Sequence, residues 1–287
     1  MTMAVLGLLA AFAVAGACRS ASAALIAYDP LNQASGGGIN GTASTSPGVW
    51  PTAQNWGSVV GTVDITSGSL SVPGGVVGLS TNGNSATLSN SGSQVAAFRS
   101  FGTSYSTASD TNLWFSFLYR PGGSGGVGIN EGISLFNSGT EALFFGSDGS
   151  GDLVIRAVNG QSSSAANQFA NTLVDATSNQ TFQIVANIQG NTGYTIWVNP
   201  TGFNSGSGTP TGGITASLTS NLTTFAFDSI RLGDDDTSSP QGVATFDEFR
   251  MATTAAEVVP EPSTWALALG GLAAFAWQRS RRCRRAA

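Results

Sequence analysis

The chain has no histidine and no lysine, only two cysteines, and charged residues make up 9% of it, against about 25% in ordinary soluble domains. Each shortage excludes something. Without histidine or lysine, Ser-His-Asp and Ser-Lys nucleophile arrangements cannot be built, and histidine metal centres are absent. Cys18 and Cys283 lie near the two ends, so the stretch between them has neither an internal disulfide nor a catalytic thiol. All 11 basic residues are arginine. Between residues 24 and 259 five arginines face fifteen acids, a net charge of −10. Such a body repels phosphate backbones, so no nucleic-acid partner is expected. No body segment shows sustained helical periodicity with capping signals, and no repeat of fixed period is present.

What is present is glycine, 38 residues of it, with many hydroxyl and amide side chains between short apolar runs. TNLWFSFLYRP (111–121) is apolar on both faces, as a central sandwich strand is. TFQIVANI (181–188) alternates, and GYTIWVNP (193–200) follows a Gly-Asn turn, which predicts a hairpin. EALFFGSDGSGDLVIRAV (141–158) predicts a second hairpin, and FDSIRLG (227–233) and GVATFDEFRMA (242–252) two strands near the end of the body. GSVVGTVDIT, GSLSVPGG and QVAAFRSF read as shorter strands. Residues 35–48 and 204–213 read as mobile surface loops. The expected fold is all-β, a two-sheet antiparallel jelly-roll sandwich over 24–253 with a linker at 254–259. A signal helix precedes it and a transmembrane helix follows.

Residues 1–23 read as a secretory signal peptide. An apolar run of 14 (residues 4–17) is short for a bilayer span, and Ala21-Ser22-Ala23 offers cleavage residues at Ala21 and Ala23. The usual positive start is missing. A rival reading is lipoprotein processing at Cys18, after Ala15-Gly16-Ala17.

The closing body segment, with Asp228, Ile230, Arg231, Leu232 and Gly233, then Phe246, Asp247, Glu248, Phe249, Arg250 and Met251, resembles the last strands of concanavalin-like and laminin-G-like jelly rolls of exported bacterial proteins. At the chain end, Pro260-Glu261-Pro262 precedes a nearly uninterrupted apolar run from Thr264 to Trp277. The cluster Arg279, Arg281, Arg282, Arg284 and Arg285 follows. Seventeen uncharged residues lie between Glu261 and Arg279, roughly 25 Å of helix, just under a ~30 Å hydrocarbon core. A span over 263–278, with Trp265 and Trp277 at its ends, places the arginines in the cytoplasm and the body outside.

Residues 260–285 thus resemble the PEP-CTERM protein-sorting signal, a tail also labelled ice-binding protein C-terminal domain. The resemblance implies recognition at the inner membrane by an exosortase-type sorting enzyme, processing near the Pro-Glu-Pro step, and delivery to the cell surface or extracellular matrix. An exopolysaccharide setting is usual for that signal, which makes polysaccharide a candidate partner. The prolines forbid helix and leave an extended segment for a protease to grip.

For chemistry, the body is expected to be a structural or glycan-adhesive module and not an enzyme; the alternative is a carbohydrate-active hydrolase or lyase on the same fold. Asp247 and Glu248 are adjacent, so strand alternation puts them on opposite faces, unlike a paired acid and base. Glu131 and Glu141 fall in different elements. No resident cofactor is expected. Low-affinity Ca²⁺ binding by Asp234, Asp235 and Asp236, with Asp247, which alternation sets on the same strand face as Phe249 and Met251, held nearby, is the one metal alternative; the competing reading has a solvated acidic loop and Asp247 bonded to backbone amides. Glu248 and Arg250, two apart, are expected to pair at the surface. Trp50, Trp56, Trp114 and Trp197 are candidates for sugar stacking, with Trp197 expected to be the exposed one.

Overall fold

A computed structural model describes residues 24–42, 49–52, 54–71, 74, 83–89, 94–110, 112–122, 131–148, 151–157, 168–175, 180–204, 208–219, 222, 224–234 and 244–259. The signal segment with Cys18, Ala21 and Ala23, the acids Asp235 and Asp236, Pro260-Glu261-Pro262, the span 263–278 and the terminal arginines lie outside the described residues. Among the described residues no helix is long and apolar enough to cross a membrane.

Two antiparallel sheets pack face to face. The eight-stranded sheet runs in the order β15 (Ile214–Leu218), β12 (Gly193–Val198), β11 (Phe182–Gln189), β6 (Leu113–Arg120), β17 (Thr245–Ala252), β4 (Asn84–Ser89) and β3 (Thr62–Ser67). Strand β1 (Leu25–Asp29) also pairs with β17. The seven-stranded sheet runs β10 (Gln168–Asp175), β9 (Asp152–Ala157), β8 (Thr140–Ser147), β7 (Glu131–Asn137), β16 (Ala226–Asp234), β5 (Val95–Ser106) and β2 (Trp56–Val60). A minor ribbon joins β13 (Gly202–Phe203) to β14 (Pro210–Thr211), the latter inside the stretch 204–213 expected to be a mobile loop. The segment GSLSVPGG forms no strand at residues 68–71; instead Leu70 is buried there. The described part of the other expected loop is pinned too, with Ile39 fully buried and its amide donating to Val63 O at 2.8 Å.

Alternation explains the core. Phe115, Phe117, Tyr119, Ile184, Ala186, Ile188, Ile196 and Val198 point inward from β6, β11 and β12, to meet Ile133, Leu135, Leu143, Phe145, Ile230 and Leu232 of the other sheet. The opposite residues of β6 and β11 are also buried, because a second apolar cluster covers the outer face of the eight-stranded sheet. It joins Trp114, Leu118, Val185, Trp197 and Ala252 to Leu70 and to a one-turn helix α1 (Ala255–Val258).

This cluster changes two expectations. Residues 254–259 are not a free linker: Val258 and Val259 are fully buried on the sheet, and the Ser116 hydroxyl donates to Val258 O. Trp197 is 8% exposed, stacked on Trp114 at 5.6 Å with 23° between the rings, so it offers no sugar platform.

A bulge in β17 changes two more. Glu248 sits at φ +56° and the register with β6 shifts between Asp247 and Arg250. A bulge adds one residue to one strand and interrupts alternation. Asp247 is therefore not on the inward face with Phe249 and Met251; its neighbours are Leu118 and Leu70 on the outer side. Nor do Asp247 and Glu248 point to opposite faces. The Glu248 carboxylate accepts from Tyr28 Oη (2.9 Å) and Arg250 Nη2 (3.2 Å), on that same outer side, and burial pushes the Tyr28 hydroxyl well above its ordinary pKa. The expected Glu248–Arg250 pair exists, but it is buried and not at the surface, Glu248 being 0% exposed.

Candidate functional site

The outer face of the seven-stranded sheet carries an open groove, a cavity of about 430 Å³ lined by Asn55, Gly57, Phe98, Ser100, Gly139 and Ser229. Strand alternation builds it. Ala97 and Arg99 of β5 face inward, so Phe98 and Ser100 face out. Across the ladder Ser229 of β16 is opposite Ser100, and Gly57 of β2 is opposite Phe98. Gly57 supplies the opening: a Cβ added there would meet no atom within 4 Å. Asn55, Ser100 and Gly139 are exposed and Phe98 is half-buried.

The surroundings hold this floor still. Phe98 meets the edge of Phe136 at 5.1 Å, and Arg231 lies 4.9 Å over Phe136. Arg231 Nη2 donates to Ser134 Oγ (3.1 Å) and Glu141 Oε1 (2.9 Å), while Arg156 stands 3.6 Å from Glu141 and 4.6 Å over Phe144. At one end the β7–β8 turn is pinned by the Ser138 amide donating to Asp228 Oδ2 at 3.1 Å. Ser229 Oγ donates to Asp228 Oδ1 at 2.8 Å, which leaves its lone pairs for a ligand. The lining thus combines one aromatic face, two hydroxyls and an amide, with no charge among the described residues.

Of the expected metal ligands, only Asp234 and Asp247 are among the described residues, and these two lie on different sheets. Asp234 ends a strand of the seven-stranded sheet, whereas Asp247 belongs to the other sheet and faces away from it. The carboxylate oxygens of Asp247 accept from the Leu70 amide (Oδ2, 2.8 Å) and the Glu248 amide (Oδ1, 2.8 Å). The amide-bonded reading of Asp247 is the one the geometry matches. Among the described residues no group of three or more potential ligands could hold a metal ion. Glu131 and Glu141 lie on neighbouring strands: Glu131 accepts from Tyr119 Oη at 3.2 Å, and Glu141 serves Arg231 and Arg156.

Asp247 is nonetheless electrostatically unusual. Burial, opposed by its two amide donors and reinforced by Glu248, pushes its pKa up to about 8. A raised carboxyl pKa favours the folded state fully below the ordinary value near 3.8. That contribution is lost as pH rises to about 8. The melting temperature is expected to fall between pH 5 and pH 9 in part through Asp247, and Asp247→Asn to narrow that difference. Parallel melts of the two proteins at both pH values check it.

Sequence reasoning missed Arg99, which reaches inward. Its Nη1 bonds Asp29, its Nε donates to Gln54 O at 2.9 Å, and its guanidinium lies 3.9 Å over Trp50. Trp56 Nε1 donates to Asp29 Oδ2 at 2.8 Å. Trp56 is therefore core, and the half-buried Trp50 packs on Phe101 and Arg99.

The fold and the groove define a two-sheet, jelly-roll-like β-sandwich with an uncharged groove lining among its described residues. Residues 258–285 match the PEP-CTERM protein-sorting motif, so this is an exported, cell-surface-targeted protein whose tail is handled by an exosortase, a membrane sorting enzyme. No curated protein matches the chain in sequence. Similar solved structures include the T. cruzi calreticulin globular domain, at 14% identity and TM-score 0.46, covering 73% of this chain and 88% of that one. The binding domain of Paraclostridial Mosquitocidal Protein 1 is similar at 13% identity and TM-score 0.48, covering 71% of this chain and 46% of that one. The binding domain of Botulinum neurotoxin DC, solved with rat synaptotagmin II, is similar at 12% identity and TM-score 0.48, covering 76% and 48%. The chain spans less than half the length of those two toxin chains.

Proposed function

We propose that the mature protein is a non-enzymatic, glycan-adhesive sandwich of the cell surface or extracellular matrix, which takes a neutral hexose polymer in the groove beside Phe98. The lining of that groove carries the reading. The half-buried Phe98 ring offers an apolar face to a pyranose, and Asn55, Ser100 and Ser229 offer hydrogen-bonding groups around it. A body of net charge −10 disfavours anionic polymers, and the uncharged lining suits a neutral one. Hydrolysis would call for two carboxylates facing one cleft. The groove has none among its described lining residues, and the side-by-side Asp247 and Glu248 are fully buried with oxygens committed to amides, Tyr28 and Arg250.

The test is titration of the mature protein with neutral gluco-, galacto- and manno-oligosaccharides. Millimolar or tighter binding to at least one is expected. Gly57→Trp, whose Cβ would meet no atom within 4 Å and whose ring would occupy the groove, is expected to weaken that binding at least about tenfold, the equivalent of 1.4 kcal/mol, with little change in melting temperature. Absence of binding across the three series, binding that Gly57→Trp leaves intact, or release of reducing sugar by the wild type would each overturn the reading.

A further inference from the structure

The sorting motif starts inside the folded body. Its match begins at residue 258, and Val258 and Val259 are both 0% exposed on the outer face of the eight-stranded sheet. Three rows of side chains make the seat. Asn187, Trp114 and Ala252 form one, Trp197, Val185 and Ser116 the next, and Gln183, Leu118 and Asp247 the third. The Ser116 hydroxyl, in the central row, holds the Val258 carbonyl, and Ala255, Val258 and Val259 pack with Trp114, Leu118, Val185 and Trp197. Leu70 closes the third row, its amide tied to Asp247. On the near side Thr253 brackets the start of the body, accepting from the Ala24 amide at Oγ1 (3.2 Å) and donating its own amide to Ala24 O (3.2 Å).

A processing enzyme takes its substrate as an extended segment several residues long. Pro260 follows directly on two buried valines, so residues on the body side of the motif are occupied as long as the seat is filled. We propose that this seat restrains the sorting step: Val258 and Val259 must leave Trp114, Ser116 and Trp197 before the exosortase can engage the chain at Pro260-Glu261-Pro262. The reading concerns access to the motif and is independent of what the groove binds.

The seat is built to open. Helix α1 is a single turn, too short to be stable alone, and its N-cap Thr254 makes no capping hydrogen bond. Gln183, fully buried in the third row, has neither its side-chain Oε1 nor its Nε2 paired among the described residues. An unpaired buried amide gains from hydration, so opening recovers part of its own cost. When opening is fast compared with cutting, the processing rate follows the population of the open form. The cut itself breaks one peptide bond, with water or an amine acceptor taking the acyl group and the tail keeping the new amine.

The experiment follows conversion of the full-length precursor by pulse-chase in cells that contain an exosortase. Val258→Ser removes buried apolar surface from the seat and is expected to speed conversion about tenfold. A six-residue Gly/Ser insertion between Val259 and Pro260 leaves the seat filled but moves the Pro-Glu-Pro step clear of it. It is expected to speed conversion similarly, and Val258→Ser is expected to add nothing further in that background. A merely structural role for the seat would not produce this loss of additivity. The proposal is overturned if folded Val258→Ser is processed at the wild-type rate. It is overturned equally if the insertion variant, whose seat is untouched, is processed at the wild-type rate or more slowly. Should Val258→Ser fail to fold, the insertion variant decides alone.

Discussion

Arg99→Met is expected to cost the sandwich about 3–5 kcal/mol, the range found when one partner of a buried ion pair is removed. Asp29 is 0% exposed and Arg99 2% exposed, and both point into the interior between the sheets. After the substitution the Asp29 carboxylate keeps the Leu31 amide and the Trp56 indole, each at 2.8 Å. It loses its counter-charge. Gln54 O loses its guanidinium donor and Trp50 its stacked cation. Burial already works against the charged guanidinium, lowering its pKa, and Asp29 works in the other direction. The pair is thus costly to desolvate and more costly to break. A fall in melting temperature on the order of 10 °C or more should accompany the loss. Asp29→Asn combined with Arg99→Met should recover much of it, because no uncompensated charge remains. Chemical denaturation of both variants measures the difference, and equal stabilities would show that charge pairing is not what holds β1 to the core.

Gly132→Ala is expected to be nearly as damaging for a purely steric reason. Gly132 of β7 and Gly146 of β8 face each other across the ladder. A Cβ at residue 132 would stand 2.2 Å from Phe145 O, and one at residue 146 would stand 2.1 Å from Glu131 O. Backbone cannot yield to a methyl group as a flexible side chain can, so the cost lies at or above the upper end of the roughly 1–3 kcal/mol of ordinary overpacking. Gly57→Ala, on the same sheet but with open space above it, should cost little in stability. Denaturation curves of the two alanine variants side by side check the contrast.

Much of the scaffold could be read from local pattern. The runs at 111–121, 181–188 and 193–200 became β6, β11 and β12 because each stretch carries its own alternation and turn residues, and a strand's faces are set by neighbours two apart. The tail was legible for a similar reason. A Pro-Glu-Pro step, an apolar run and an arginine cluster act through order and composition, which no folding is needed to display.

The site residues were harder because they depend on long-range placement. Alternation put Asp247 inward and Glu248 opposite it; one bulge at Glu248 reversed the first and abolished the second. Trp197 sits on the outward side of its strand, as alternation predicts, yet lies covered within the outer apolar cluster, stacked on Trp114. The groove draws on β2, β5, β16 and the β7–β8 turn, so no sequence window contains it.

By itself, then, the sequence determined the all-β class, the central strands, the acidic lysine-free surface and the destination written in the tail, since these depend on composition and near neighbours. Only the tertiary structure decided which carboxylates are sealed, where Arg99 finds its partner 70 residues away, which aromatic faces solvent, and that the sorting motif begins on a buried seat. Those outcomes turn on register, bulges and coverage of the outer sheet faces, which distant segments of the chain settle when they meet.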